Sequence, residues 1–291
     1  MKNINIFCFG FGQVAQNFIN KLSVEKYNIN LSTTTRSESS KKIFNNINYD
    51  NYLFNSKKFD KNLLLKLKEA DHILVSIPPE EQEDLVIKIF SKFIESSKVK
   101  WITYLSATSV YGDHKGEWVN ENSKTNPSSI NGVARLKAEN SWISLEKNNK
   151  LPIQIFRLSG IYSNEKNILV RLKSGDLKLI EKKNHYFSRI HVDDIANILY
   201  KSLSKFKSGE IYNLSDDKPA SSKEVTLFGA KILNIQNLKK IEINKIENVK
   251  LKNFYKESKK VSNKKIKNYL NYNLRFPSYV EGLNYIRDNF I

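Results

Sequence analysis

Residues 5–17 read N-I-F-C-F-G-F-G-Q-V-A-Q-N. An apolar run meets two glycines and passes straight into a helical pattern, and this constrains the chain more than any other feature. Residues 6–9 suit a buried parallel strand. Gly10-x-Gly12-x-x-Ala15 then makes a tight turn into a helix whose apolar side carries Val14, Phe18, Ile19 and Leu22. Gly10 permits the turn, Gly12 lets a pyrophosphate approach the backbone, and Ala15 lets the helix pack close to the strand. Unbonded N–H groups and the positive end of the helix dipole would hold the phosphates. The strand before the turn and the helix after it turn a weak glycine pattern into an expectation of dinucleotide binding.

The rest of the first half repeats this rhythm. Strand-like runs fall at 29–34, 52–54, 72–77, 101–105 and 153–157. Helical patterns fall at 38–45, 61–69, 80–96 and 131–145, the second capped by Asp60. Such alternation predicts a parallel sheet covered by helices on both faces, and right-handed crossovers make it doubly wound. The second half is less regular. Helices are expected at 168–173, 193–204 (capped by Asp193 or Asp194), 221–233 (capped by Ser221), 258–270 and 278–290. Short strands are expected within 177–190, around 182–184, and a strand at 210–214. The fold class is therefore α/β. Residues 1–160 form a dinucleotide-binding domain. Residues 161–291 form mainly a smaller α+β substrate lobe, with about 187–214 returning to the first domain.

The chain has 291 residues, enough to bury a sizeable core, and a formal charge of +18. Lys250, Lys252, Lys256, Lys259, Lys260, Lys264, Lys265 and Lys267 form the densest basic stretch. It lacks arginine–aromatic interleaving, so a nucleic-acid partner is not expected and a solvated basic surface is. The positive field would still attract an anionic cofactor or substrate. The single cysteine, Cys8, lies in the first strand and can make no internal disulfide, which suits the expected cytoplasmic location. No apolar stretch approaches the roughly 20 residues that cross a bilayer, and the N-terminal run is too short for a signal peptide. The four histidines are scattered without metal-ligand spacing.

Cofactor choice is read at the end of the second strand, where NAD enzymes place an acidic residue. This chain has Thr33-Thr34-Thr35-Arg36-Ser37. Arg36 can fork onto a 2′-phosphate, with hydroxyls from Thr34 or Ser37 beside it, which favours NADP over NAD. The alternative is a solvated loop arginine.

Leu105-Ser106-Ala107-Thr108-Ser109-Val110-Tyr111-Gly112-Asp113 resembles the fifth-strand motif of the extended short-chain dehydrogenases/reductases, the epimerase/dehydratase family. Four more segments resemble that family in the right order: Phe156-Arg157-Leu158-Ser159-Gly160-Ile161-Tyr162, His191-Val192-Asp193-Asp194-Ile195-Ala196, Ile211-Tyr212-Asn213-Leu214 and Glu281-Gly282-Leu283. Together they span nearly the whole chain. Trp118-Val119-Asn120-Glu121 and Ser258-Lys259-Lys260-Val261-Ser262-Asn263 are similar to an atypical branch of NAD(P)-binding members.

The resemblance implies a Rossmann sheet and a homodimer through the helices at 80–96 and 131–145. It also implies a Ser/Thr, a Tyr and a Lys for proton transfer. Counting from Val110-Tyr111-Gly112, these positions fall on Ala107, Asn131 and Arg135, with Glu139 keeping the helix in register. Asparagine has no titratable proton, and arginine is a poor shuttle. The candidate substitutes are Tyr111, Thr108 and Ser106, with His114, Glu117 and Glu121 on the following loop. For Tyr111 the alternative is a packed aromatic with its hydroxyl bonded locally. The expected cofactor contacts are Gly10, Gly12, Gln13, Val14, Arg36, Ser37, Ile77, Pro78, Arg135 and Leu158. The expected activity is that of an NAD(P)-dependent reductase-like or epimerase/dehydratase-like enzyme acting on a small polar substrate. The alternative is a non-catalytic NADP-binding sensor or interaction module.

Overall fold

The structure is a computed structural model describing residues 2–80, 83–175, 177–248, 251–252 and 255–291. Lys250 of the basic stretch, and residues 81–82 of the expected helix at 80–96, lie outside them. In chain order the first half runs β1 (Lys2–Phe9), α1 (Gln13–Val24), β2 (Tyr27–Thr35), β3 (Ser40–Phe44), β4 (Ile47–Leu53), α2 (Leu63–Glu69), β5 (His72–Val75), α3 (Leu85–Glu95), β6 (Trp101–Ala107), β7 (Trp118–Val119) and α4 (Ile130–Asn149). It continues with β8 (Ile153–Leu158), β9 (Gly160–Tyr162), α5 (Ile168–Lys173), β10 (Leu179–Ile180), β11 (Arg189–His191), α6 (Val192–Ser204), β12 (Ile211–Leu214), α7 (Ser222–Ile232), β13 (Lys240–Ile241), β14 (Lys260–Val261), α8 (Lys264–Leu270) and α9 (Tyr279–Phe290).

The main sheet has the order β12-β8-β6-β5-β1-β2-β4-β3. β1 pairs in parallel with both β2 and β5, β2 with β4, and β5 with β6. Strand order reverses between β1 and β5, which makes the carboxyl end of β1 the topological switch point, where open parallel sheets bind ligands.

Clustering of contacts divides the chain into two compact units. The first is Met1–Ala107 with Val133–Arg157 and Ile195–Tyr212; the second is Thr108–Gly132 with Leu158–Asp194 and Asn213–Ile291. Phe7, Phe9, Phe54, Phe90, Tyr104 and Trp142 anchor the core of the first unit. The rings of Phe9, Phe54 and Phe59 meet Phe90 at 5.4, 5.1 and 5.1 Å. Each such burial is worth about 1.5–3 kcal/mol.

Two expectations in this unit are corrected. The helix expected at 38–45 is the strand β3, in antiparallel register with β4. Asn45 and Asn46, at φ 46° and 63°, make the two-residue turn of a hairpin. α3 starts at Leu85 rather than 80, because the Asp84 carboxylate accepts from the Val86 and Ile87 N–H groups at 2.9 and 3.1 Å. The same side chain accepts from Trp142 Nε1 at 3.0 Å.

In the second unit Tyr162, Leu169, Ala220, Val225, Tyr279, Leu283 and Ile286 form a separate core. β9 pairs in parallel with β11, and β7 with β14. Ser221 caps α7 as expected, accepting from Glu224 N–H at 3.0 Å. Ser278 caps α9, accepting from Val280 N–H at 3.1 Å and donating to Glu281 at 2.6 Å. A Cβ at Gly282 would lie 2.1 Å from the Tyr162 hydroxyl, which explains the glycine of Glu281-Gly282-Leu283.

Here too the structure departs from expectation. The helix expected at 258–270 begins only at Lys264. Val261 is buried and pairs with Val119 in a strand instead. The short strands expected within 177–190 are present, by contrast, as β10 and β11 on either side of 182–184, with Asn184 at φ 52° between them.

Candidate functional site

The glycine turn joins three strand ends of the first unit. Gly10 sits at φ 85°, and a Cβ there would lie 2.7 Å from Ile77 Cγ2 and 2.9 Å from Ser76 Oγ. Its N–H donates to Thr34 Oγ1 at 2.9 Å. Ser76 Oγ donates to the carbonyls of Phe9 and Gly10 at 2.9 and 3.1 Å. Gly12 is the N-cap of α1 and has no side-chain cap; a Cβ on it would meet nothing within 4 Å. The first turn of α1 holds no acidic residue. Ala15 is fully buried, allowing the close packing its position requires. Gln13 lies at the helix start with a buried Oε1 that has no partner among the described residues, whereas Val14 is buried in the core. An open, uncapped and acid-free helix start at the switch point has the chemistry of a pyrophosphate cradle.

Beyond β2 the Arg36 side chain is exposed, and its carbonyl accepts from Asn55 Nδ2 at 3.3 Å. The Thr35 and Ser37 hydroxyls bond at 2.9 Å, and Ser37 N–H donates to Thr35 Oγ1 at 3.3 Å. Phe11, inside the glycine turn, packs on Phe44 and Tyr49 at 5.2 and 5.1 Å. Sequence reasoning missed this contact because Phe44 was assigned to a helix. Ile77 is half-buried and Pro78 exposed just past β5.

At the carboxyl end of β6, Ser106 is buried and its Oγ has no partner among the described residues. Ala107 ends the strand, half-buried. Arg135 on α4 donates from Nη1 to the Leu105 carbonyl and approaches the Tyr104 hydroxyl at 3.4 Å. One turn on, Glu139 does more than keep helical register. Its buried carboxylate takes Arg157 Nε at 3.1 and 3.2 Å and Nη2 at 2.7 Å. Nothing in the local sequence marks these two as partners. Asn131 is exposed on the first turn of α4.

In the second unit Thr108–Tyr111 forms a 3-10 turn. Tyr111 has no exposed surface, and its hydroxyl donates to Asn213 Oδ1 at 2.8 Å. The Asn213 N–H donates to Glu121 Oε1 at 2.8 Å. His114 Nε2 lies 3.1 Å from the carbonyls of both Tyr111 and Lys124, so it donates to them. Thr108 is half-buried. The Ser258–Asn263 segment fastens this loop: Ser258 N–H donates to Asp113 at 2.8 Å, and Lys259 Nζ to the Gly112 carbonyl at 2.8 Å. Leu158, at the end of β8, is buried.

His191 rather than Asp193 or Asp194 caps α6, its Nδ1 accepting from Asp193 N–H at 3.2 Å. Burial, with Arg275 adding to it, lowers the His191 pKa to about 4, so the ring is neutral. Asp194 accepts from the Tyr272 hydroxyl and from the Arg275 and Phe276 N–H groups, at 2.6, 2.7 and 3.0 Å. Among the described residues no group of three or more His, Cys, Asp or Glu could hold a metal ion. Nor is any helix among them long and apolar enough to cross a membrane.

Residues 86–215 match the NAD dependent epimerase/dehydratase family. No curated protein matches the sequence. A functionally unknown conserved protein from Silicibacter pomeroyi is 27% identical, with a TM-score of 0.86 over 99% of both chains. UDP-glucuronic acid 4-epimerase from Bacillus cereus, solved with NAD, is 17% identical, with a TM-score of 0.76 over 100% of this chain and 98% of its own. dTDP-glucose 4,6-dehydratase from Streptomyces venezuelae, solved with NAD and TYD, is 16% identical, with a TM-score of 0.76 over 99% and 98%. Residues 86–215 thus match the NAD dependent epimerase/dehydratase family, and along nearly its full length the chain has a Rossmann-like α/β fold similar to that of the epimerase and the dehydratase named here.

Proposed function

We propose that this chain binds NADP and acts on a small polar substrate as a reductase-like or epimerase/dehydratase-like enzyme without the usual Tyr–Lys pair. The observation that carries this reading is the helix start at Gly12: uncapped, free of acid and open beside the glycine turn. The N–H groups from Gly12 onward bind the pyrophosphate there. Arg36 and Ser37 orient the 2′-phosphate, a preference that rests on those two residues, since the solved relatives named above hold NAD. When bound, the nicotinamide supplies hydride transfer. Arg135 holds the carboxyl end of β6 by donating to the Leu105 carbonyl. Tyr111, Thr108 and Ser106 are the hydroxyls offered for proton movement. Calorimetric titration tests the reading. NADP should bind at least tenfold more tightly than NAD, and Arg36→Asp should remove that margin. Absence of binding by either dinucleotide would sink it.

One observation favours a second reading, a non-catalytic NADP-binding sensor. The Tyr111 hydroxyl is buried and already committed to Asn213. NADPH oxidation with any carbonyl substrate would remove this alternative.

A further inference from the structure

Two buried side-chain groups of the second unit stand on one face of neighbouring strands without partners among the described residues. Asn213 has no exposed surface, and its Nδ2 bonds to nothing among the described residues. Ser159 is 4% exposed, and its Oγ likewise has no partner among them. Their placement follows from the strand register. Ile155 N–H donates to the Glu210 carbonyl, and four residues later Ser159 N–H donates to Leu214. The strands therefore advance together, which sets Ser159 beside Ser215 and diagonally across from Asn213, all on one face. At ordinary strand spacing that diagonal is about 8 Å between Cα atoms.

Asn213 is also held unusually firmly. β12 is the sheet edge, and Glu121 Oε1 satisfies the Asn213 backbone N–H at 2.8 Å. Tyr111 fixes the amide orientation by donating to Oδ1 at 2.8 Å, which turns the two Nδ2 protons away from Tyr111. Ser215, beside Ser159, is already used: its Oγ donates to the Asp216 carbonyl at 3.1 Å. A buried amide and hydroxyl left unsatisfied are costly to the fold, so a protein that holds one of them in a braced geometry has a use for it.

We propose that Asn213 Nδ2 and Ser159 Oγ form a binding point for an uncharged ligand oxygen, the carbonyl or hydroxyl of a small hydroxy-ketone or polyol, with Tyr111 and Glu121 as positioning residues for Asn213. The amide donates, and the serine both donates and accepts. Neither brings charge, and the Arg157 guanidinium, on the same face of β8 as Ser159, is neutralised by Glu139, so a carboxylate or phosphate finds no counter-ion in the pair. This deepens the proposed function and rests on the second unit receiving the substrate.

The test uses the full chain labelled with 15N in its asparagine side chains and dihydroxyacetone as the probe, without cofactor. The Asn213 amide pair is identified by its loss in Asn213→Asp, or by triple-resonance assignment should that variant not fold. Dihydroxyacetone should move the Asn213 pair saturably, while sodium acetate at equal concentration leaves it still. Ser159→Ala should raise the half-saturating concentration about three- to tenfold. An Asn213 pair that dihydroxyacetone does not move would mean that buried water satisfies the two groups, and would overturn the proposal. An equal response to acetate, or an unchanged half-saturation in Ser159→Ala, would overturn it as well. Dinucleotide titration is a separate measurement, so a chain that binds dihydroxyacetone here but no NADP would contradict the proposed function and not this site.

Discussion

The hydroxyl of Tyr111 donates to Oδ1 of Asn213 across 2.8 Å, although 102 residues of chain separate the two. Tyr111 is thus a structural brace as well as a candidate acid. Tyr111→Phe leaves the buried Asn213 carbonyl oxygen short of a donor and should cost about 1–3 kcal/mol, read as a lower midpoint in urea unfolding. A variant as stable as the parent would contradict the bond.

The two glycines of the turn should fail differently. Gly10→Ala places a Cβ against Ile77 and Ser76 in a left-handed conformation, so both stability and dinucleotide binding should fall. Gly12→Ala meets open space. Its melting temperature should stay within about 1–2 °C of the parent, since a surface change of this kind costs little, while dinucleotide affinity drops at least tenfold. Equal loss of stability in both variants would contradict the account of Gly12.

Glu139 and Arg157 are both buried, and they pair through two guanidinium nitrogens. Removing one partner strands a charge, so Glu139→Gln or Arg157→Met should each cost about 3–5 kcal/mol. The double variant Glu139→Leu with Arg157→Met should recover most of that loss. Additive losses in denaturant unfolding would contradict the pairing.

Asp216 is buried with Oδ2 unpartnered, and burial raises its pKa to about 8 against the opposing pull of Arg189. A carboxyl whose folded pKa lies above its unfolded one favours the fold at low pH. That contribution is complete below about pH 4, the unfolded value, and disappears as pH rises through about 8. Asp216→Asn should therefore gain stability relative to the parent between pH 5 and pH 9. The same difference at both pH values in urea unfolding would contradict the shift.

What could be read from the sequence was what is local. The glycine turn, much of the strand rhythm from β1 to β8, and the serine cap of α7 are written in short segments, and the structure has them. Ser40–Phe44 was misread because its two apolar residues are adjacent rather than alternating, and Ile43 is 72% exposed. No burial pattern marks it as a strand; pairing with β4 decides its conformation. The Glu139–Arg157 pair and the Asn213 brace were illegible for a related reason. Each depends on which strand ends the sheet order brings together, and spacing along the chain does not encode that. The Ser258–Asn263 motif was recognisable only as a pattern until its bonds to Gly112 and Asp113 gave it a physical task.

The central claim is that the turn at Gly10–Ala15 holds a nicotinamide dinucleotide whose 2′ end faces Arg36. Isothermal titration of the parent chain and of Arg36→Asp with NADP and NAD tests it most directly. The account predicts saturable binding, NADP tighter than NAD by at least tenfold in the parent, and loss or reversal of that preference in Arg36→Asp. Preference for NAD in the parent would contradict the role of Arg36, and no heat of binding with either dinucleotide would contradict the cradle itself.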